Sequence, residues 1–416
     1  MTEVDIIRPG SINDIIGPVG TLKRMLKNQE FFNERGYKIT IFTNDSIERG
    51  PISETPESSP IRQAKVPSTN SFRRKVGSFL RKMAKKNIFT AKWFIEKDRK
   101  IVDNLVNYYI SLNRTPDIIQ FHSNLECYLY QINRKETKAK TVMFLHTDGY
   151  PFKMILQYYP CLNNTRYLKK LEDEFAWTVA NTTQINFIAK IGQKNFLQLY
   201  PNKPKEKTAV IINGIDNLSD DQEKEFDVIR NEYSDSKFKY RLCCSGTINF
   251  RKGHRIIIEA LHTLSKDVLP TIHVDFMGEG GERPILEELV KKYELEDNVT
   301  FYGMIPNSEI YKYLARNNIY ILMSKNEGLP ISIIEAMRAG LPVISTSVSG
   351  IPELVREGYN GLLINPEVKE LKAVFMNMNK YNWTVMGENS SMRFQNEFTF
   401  ERMKREFCDM YDSLYL

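Results

Sequence analysis

Short apolar runs alternate with helical patterns along both halves of this chain. That alternation restricts it to parallel α/β architecture, because parallel strands need a crossover, usually a helix, between them. In the first half, 4–7, 38–42, 117–121, 141–145 and 208–212 read as strands. In the second half, 241–244, 272–276, 299–301 and 319–323 repeat the pattern. The stretch from about 213 to 239 is polar and lacks a strand signal, so it reads as a linker or domain entry. Residues 48–70 are rich in Pro, Ser and Glu and read as a loop. At 416 residues, two or three domains are expected.

Composition narrows the class. A hydrophobic fraction of 42% with 26% charged residues is that of a soluble globular protein. No run approaches the roughly 20 apolar residues that span a bilayer. The amino terminus, Met1-Thr2-Glu3-Val4-Asp5, is acidic and runs straight into a strand, which is not the pattern of a signal peptide. Five scattered cysteines without a Cys-x-x-Cys pair fit a reducing compartment. A cytoplasmic protein is expected. A dinucleotide-dependent dehydrogenase is disfavoured, since no Gly-x-Gly-x-x-Gly follows the first strand.

The net charge of +7 is unevenly placed. Residues 72–86 contain no acid and seven cations, while Phe72, Val76, Phe79, Leu80 and Met83 fall on one helical face. This is the pattern of a basic amphipathic helix, suited to the inner face of an anionic membrane or to packing on its own domain with a solvated back. No recognition module for nucleic acid accompanies it.

The densest chemistry lies between 325 and 336. Ile319 to Met323 is a buried strand, Glu327 stands on the loop at its carboxyl end, and Pro330 to Arg338 reads as a helix with proline near its first turn. Open α/β sheets bind ligands at such strand ends. Helix amino termini favour phosphate, and carboxylates favour hydroxyls. Glu327 and Glu335, with Gly328, Leu329 and Pro330 between them, therefore describe a site for a molecule that is part phosphate and part polyol, such as a nucleotide sugar. Read singly, the two glutamates would be ordinary surface acids.

Four stretches together resemble the retaining glycosyltransferases of family 4. They are Glu327 to Glu335 with seven residues between, Ala339-Gly340-Leu341-Pro342, Ser349-Gly350-Ile351-Pro352-Glu353 and Gly358-Tyr359-Asn360-Gly361. The resemblance is specific over about 241–366 and weak over 48–140. It implies the GT-B fold: two Rossmann-like domains facing across a cleft. Residues 1–214 would form the acceptor-side domain and 215–396 the nucleotide-sugar domain. A C-terminal helix within 397–416 would cross back to the first.

The resemblance also distributes roles. Ser245 to Gly253 matches the family's phosphate loop. Lys252 stands where the family has a lysine, and Gly246 is its first glycine. Thr247 occupies the place of the family's arginine, and Arg251 is the candidate to replace that charge. Gly278 resembles a glycine at the nucleotide edge, and Met304 lies in the segment whose backbone meets the base. Gly20, after Gly17-Pro18-Val19, is the helix-entry glycine of the first domain. His146 follows the strand 141–145 and would point into the interdomain cleft, with Asp148 one place later than the family's acid. Asn213-Gly214-Ile215-Asp216 is architectural. By resemblance, Glu327 holds the donor sugar's hydroxyls and Glu335 the ribose, with His146, Arg251 and Lys252 beside the reacting bond.

The resulting expectation is retaining, metal-independent transfer of a hexosyl or N-acetylhexosaminyl group. The donor is a nucleotide sugar, a UDP-sugar foremost, and the acceptor a saccharide or lipid-linked saccharide in cell-surface polysaccharide synthesis. Neither cofactor nor metal ligand set is expected. An oligomer or partner protein is compatible with the sequence. Two other readings stand beside it: a GT-B sugar-nucleotide epimerase, and a non-catalytic membrane-associated partner of another glycosyltransferase. The arginine missing at Thr247 and the basic helix keep the latter open.

Overall fold

A computed structural model describes residues 1–14, 19–53, 79–134 and 137–416. Gly17, Pro18, the expected loop from 54 onward and the basic helix up to residue 78 lie outside the described residues. The contacts divide the chain into two units, Met1–Ile211 with Lys404–Leu416, and Ile212–Met403.

The first unit holds a six-stranded sheet of β1 (Thr2–Ile7), β2 (Tyr37–Phe42), β3 (Ile118–Phe121), β4 (Lys140–Leu145), β5 (Gln184–Phe187) and β6 (Thr208–Val210) in the order β2-β1-β3-β4-β5-β6. Every pair is parallel. Strand alternation separates two faces. Ile119, Phe121, Met143, Leu145, Ile185 and Phe187 belong to one core with the helices Ile88–Ser111 and Arg166–Asn181. Phe144 faces the other way and meets Phe407 of the C-terminal helix, Phe400–Ser413, at 5.5 Å between rings. Met403, Phe407, Met410, Tyr411 and Leu414 are all buried, as their helical spacing predicts. The chain thus returns to the first sheet through its last helix, whose Tyr411 hydroxyl donates to Gln120 at 2.8 Å.

The second unit holds β7 (Tyr240–Ser245), β8 (Ile272–Met277), β9 (Val299–Gly303), β10 (Ile319–Leu322), β11 (Val343–Thr346) and β12 (Gly361–Ile364) in the order β12-β11-β10-β7-β8-β9, again all parallel. Counted from β7, this is the doubly wound order in which the first and fourth strands lie side by side.

Two local expectations change. The stretch 213–239 is not simply a linker: Asp220–Glu232 is a helix opened by a capping box of Ser219 and Gln222 and carrying Asp220, Asp221 and Glu223 in its first turn. Strand β5 has no apolar run, because Gln184 and Asn186 take buried strand positions and hydrogen-bond each other at 3.0 Å.

Candidate functional site

In the second unit the strand order reverses between β7 and β10, whose residues Cys243 and Tyr320 are registered neighbours. The loops leaving these two strands are therefore held together at the carboxyl edge, where such sheets bind ligands. Gly253 makes the close approach possible. Its φ is +71°, and a Cβ there would lie 1.9 Å from the Met323 carbonyl oxygen. The loops are then bonded across: Lys325 N–H donates to the Arg251 carbonyl at 2.8 Å, and Arg251 Nη1 to the Asn326 carbonyl at 2.7 Å. Asn249 fixes the turn before them by accepting from the amides of Arg251 and Lys252.

This zipping brings three sequence-expected residues onto one another. Glu327 Oε1 is 2.8 Å from Lys252 Nζ, and Glu327 Oε2 is 2.8 Å from Arg251 Nη1. The Ser324 hydroxyl donates to Glu327 Oε1 at 2.7 Å. Glu327 is 8% exposed and Lys252 9%. Burial pushes the Glu327 carboxyl up, but the charges of Lys252 and Arg251 and their hydrogen bonds outweigh it, and the group is held below the usual carboxylate range. Glu327 is thus ionised, shared between two cations that leave a net positive charge beneath the loop. Arg251 reaches the same carboxylate as Lys252, so it supplies charge here that Thr247, exposed on the preceding loop, does not.

Gly328 and Leu329 lead to Pro330, which precedes the helix Ile331–Arg338. The amides of Ile331 and Ser332 precede any intrahelical acceptor and form the positive end of the helix dipole, while Ile333 N–H donates to the Pro330 carbonyl at 3.1 Å. Glu335 sits half-buried in the second turn. The loop is braced from β11: Ser349, at φ +48°, donates to Asn326 Oδ1 at 2.9 Å, and Gly350 N–H to the Gly328 carbonyl at 3.1 Å. Lys252 passes Gly246 at ordinary contact distance, and it is the φ of +129° that favours glycine there. Gly278 packs on Gly246, where a Cβ would meet the Gly246 carbonyl at 1.9 Å. That loop-to-loop packing is what requires glycine at 278. Met304 is half exposed after β9.

The first unit reverses its strand order between β1 and β3. Ile7 is registered with Phe121, so Arg8 and His122 each follow one residue later at the same edge. His146, beyond β4, joins them: its Nε2 is 3.0 Å from His122 Nδ1, and the two rings stack at 5.3 Å. Burial, and then the Arg8 charge, push His146 down to about 4, and burial, then His146 and Arg8, hold His122 lower than its ordinary value. Arg8 is itself held by Asp14 at 2.9 Å. Gly20 lies in the first turn of the helix Val19–Lys27. Asp148 pairs with Lys153 at 2.6 Å. Gly214 is architectural, since a Cβ there would lie 2.3 Å from the Thr399 carbonyl, and Asn213 beside it is buried.

Arg8, His122, Ser324 and Ser349 were not expected from the sequence. His122 had a signal, since it ends the strand 117–121 as His146 ends 141–145. Ser349 lay in a stretch that resembles the family but its contact with Asn326 was not readable, and Ser324 had no signal, because its bond to Glu327 depends on a tight loop.

Comparison with known proteins bears on this arrangement. Residues 225–380 match the family described as glycosyl transferases group 1. Over 131 residues the chain is 34% identical to a polypeptide of the human phosphatidylinositol N-acetylglucosaminyltransferase, covering 30% of this chain and 27% of that protein. Over 175 residues it is 28% identical to the putative colanic acid biosynthesis glycosyltransferase WcaL of Escherichia coli K12, covering 39% and 43%. The matches thus span between about a quarter and less than half of these relatives. Among solved structures, Anabaena Alr3699/HepE in complex with UDP matches 99% of this chain and 100% of its own at 16% identity, with a TM-score of 0.67. Sucrose-phosphate synthase from Thermosynechococcus elongatus matches 100% and 99% at 16% identity, with a TM-score of 0.70. The fold is that of GT-B glycosyltransferases, with two Rossmann-like units. Residues 225–380 are thus similar to the glycosyl transferases group 1 family.

Proposed function

We propose that this protein transfers a sugar from a nucleotide-sugar donor to a saccharide or lipid-linked acceptor, with retention of anomeric configuration and without a metal ion. The observation that carries the reading is the placement of Lys252 and Arg251 on the buried carboxylate of Glu327, at the strand-order reversal of the second unit. The bond to be broken joins an anomeric carbon to phosphate. The departing nucleoside diphosphate accumulates negative charge, and fixed cations in a water-poor site stabilise it as it develops. Lys252 and Arg251 turn from Glu327 to the diphosphate, assisted by the helix amides after Pro330. Glu327, freed from part of its pairing, accepts hydrogen bonds from the donor sugar's hydroxyls. Glu335 does the same for the ribose. With these cations in place, neutralisation does not call for Mg²⁺. The UDP bound to Anabaena Alr3699/HepE supports a UDP-sugar as donor. The names of the relatives support an N-acetylglucosaminyl or other hexosyl group and a role in polysaccharide or glycolipid synthesis.

The reading extends to a membrane surface. Residues 79–95 contain no acid and present Arg81, Lys82, Lys85, Lys86 and Lys92. Beside them Phe79, Phe89 and Trp93 are 61%, 84% and 53% exposed. Aromatic side chains among cations suit the interface of anionic lipid, where a lipid-linked acceptor would reside. Charge reversal at Arg81 and Lys82 with Phe89→Ser should abolish flotation with phosphatidylglycerol vesicles. Retained flotation would remove this surface from the account.

A thermal-shift panel of UDP-, GDP-, ADP- and CMP-sugars, with and without EDTA, tests the donor reading. Stabilisation by one nucleotide sugar, unchanged by EDTA, is expected. No stabilisation by any donor would favour the non-catalytic reading.

A further inference from the structure

Three hydrogen bonds run from the C-terminal helix to His146. The Tyr411 hydroxyl donates to Gln120 Oε1 at 2.8 Å, Gln120 Nε2 lies 2.9 Å from His122 Nε2, and His122 Nδ1 lies 3.0 Å from His146 Nε2. Tyr411 and Gln120 are 0% exposed and His122 is 6% exposed, so water does not compete for these bonds. Strand alternation builds the line. Gln120 and His122 share one face of β3 and its extension, Phe144 and His146 share the same face of β4, and His122 stacks on Phe144 at 5.4 Å.

The direction of each bond follows from the one before it. A buried phenol keeps its proton and must donate it, and within an amide only the oxygen accepts. Gln120 Oε1 therefore faces Tyr411, and Gln120 Nε2 is left to donate to His122. His122 Nε2 accepts, so the proton of its neutral ring is on Nδ1. That Nδ1–H donates to His146 Nε2. The remaining proton of neutral His146 is then on its own Nδ1.

We infer that Tyr411 and Gln120, acting through His122, fix His146 as the Nδ1–H tautomer, so that His146 offers a ligand a hydrogen-bond donor and no basic lone pair. The ring is suited to an oxygen acceptor, such as a sugar hydroxyl or a phosphoryl oxygen. It is not suited to removing a proton from an acceptor hydroxyl. Tyr411 and Gln120 are positioning residues, and the last helix, some 265 residues further along the chain, sets the chemistry of His146. The use of His146 toward a saccharide rests on the function proposed above. The tautomer itself does not.

The test is long-range ¹H–¹⁵N correlation spectroscopy of the full-length, ligand-free protein labelled at its five histidines, with His122→Gln and His146→Gln used for assignment. Nδ1–H patterns are expected for His122 and His146. Tyr411→Phe keeps the ring and removes the hydroxyl, freeing the Gln120 amide to turn. It should convert both histidines to tautomer mixtures with a small change in melting temperature. An Nε2–H pattern at His146 in the wild-type protein, or a single unchanged tautomer in Tyr411→Phe, would overturn the inference. Neither readout uses a donor or acceptor, so failure of the transferase reading would leave this result intact.

Discussion

Lys252 Nζ lies 2.8 Å from Glu327 Oε1, although the two residues leave different strands 75 positions apart in the chain. The pair exists because β7 and β10 are neighbours and because Gly253 lets the first loop close on Met323. The carboxylate holds both cations in position before any ligand binds.

The pairing has a pH signature. The folded carboxyl of Glu327 is held below its ordinary value, so its contribution to stability is fully present above the unfolded value of about 4.3 and is lost as pH falls through the folded value. Glu327→Gln should cost about 3 kcal/mol at neutral pH, because Lys252 is left buried beside a neutral amide. The difference from wild type should shrink in acid. Urea denaturation at a series of pH values measures both.

Lys252 and Glu335 should separate kinetically. In the proposed reaction Lys252 would meet charge that develops as the bond breaks, so Lys252→Ala should lower kcat by about 10²–10³-fold, as removal of an oxyanion donor does. Its effect on donor affinity should be smaller. In the same proposal Glu335 would meet the ribose in ground and transition states alike, so Glu335→Ala should weaken donor binding by about 1.5–3 kcal/mol with less change in kcat. Steady-state kinetics with calorimetric donor affinities distinguish the two patterns.

Gly253 has a purely steric test. With φ at +71° and a Cβ position 1.9 Å from the Met323 oxygen, Gly253→Ala must open the junction between the loops. A loss of more than about 2 kcal/mol is expected, along with impaired donor binding. Gly281→Ala is the control, since nothing lies within 4 Å of its Cβ position. It should leave the melting temperature nearly unchanged.

His146 should remain neutral through the physiological range. Burial and the Arg8 charge push it down to about 4, whereas the unfolded chain takes up its proton near pH 6.5. The unfolded state thus binds more protons between these values, and the contribution of His146 to stability, present above about 6.5, declines as pH falls toward 4. Its ring resonances should be constant between pH 8 and pH 5.

The sequence made the strands legible wherever apolar side chains ran together or recurred at alternate positions, as in β1, β2, β4 and β8. It hid β5, whose Gln184 and Asn186 satisfy each other inside the sheet. It also hid the helix Asp220–Glu232, where 213–239 had read as a linker, although Ser219-x-x-Gln222 was a readable start signal. Glu327, Arg251 and Lys252 were legible as a loop and a strand end. Their common carboxylate was not, because it depends on which strand lies beside which. The His122 contact with His146 was hidden for the same reason: β3 and β4 are neighbours only in the folded sheet.

The most direct test of the account is a crystal structure with the nucleoside diphosphate of the stabilising donor. The account predicts diphosphate oxygens about 3 Å from Lys252 Nζ and the Arg251 guanidinium, with Glu327 released from at least one of them and Glu335 on the ribose hydroxyls. A nucleotide bound elsewhere, with the Lys252–Glu327 pair intact, would contradict it.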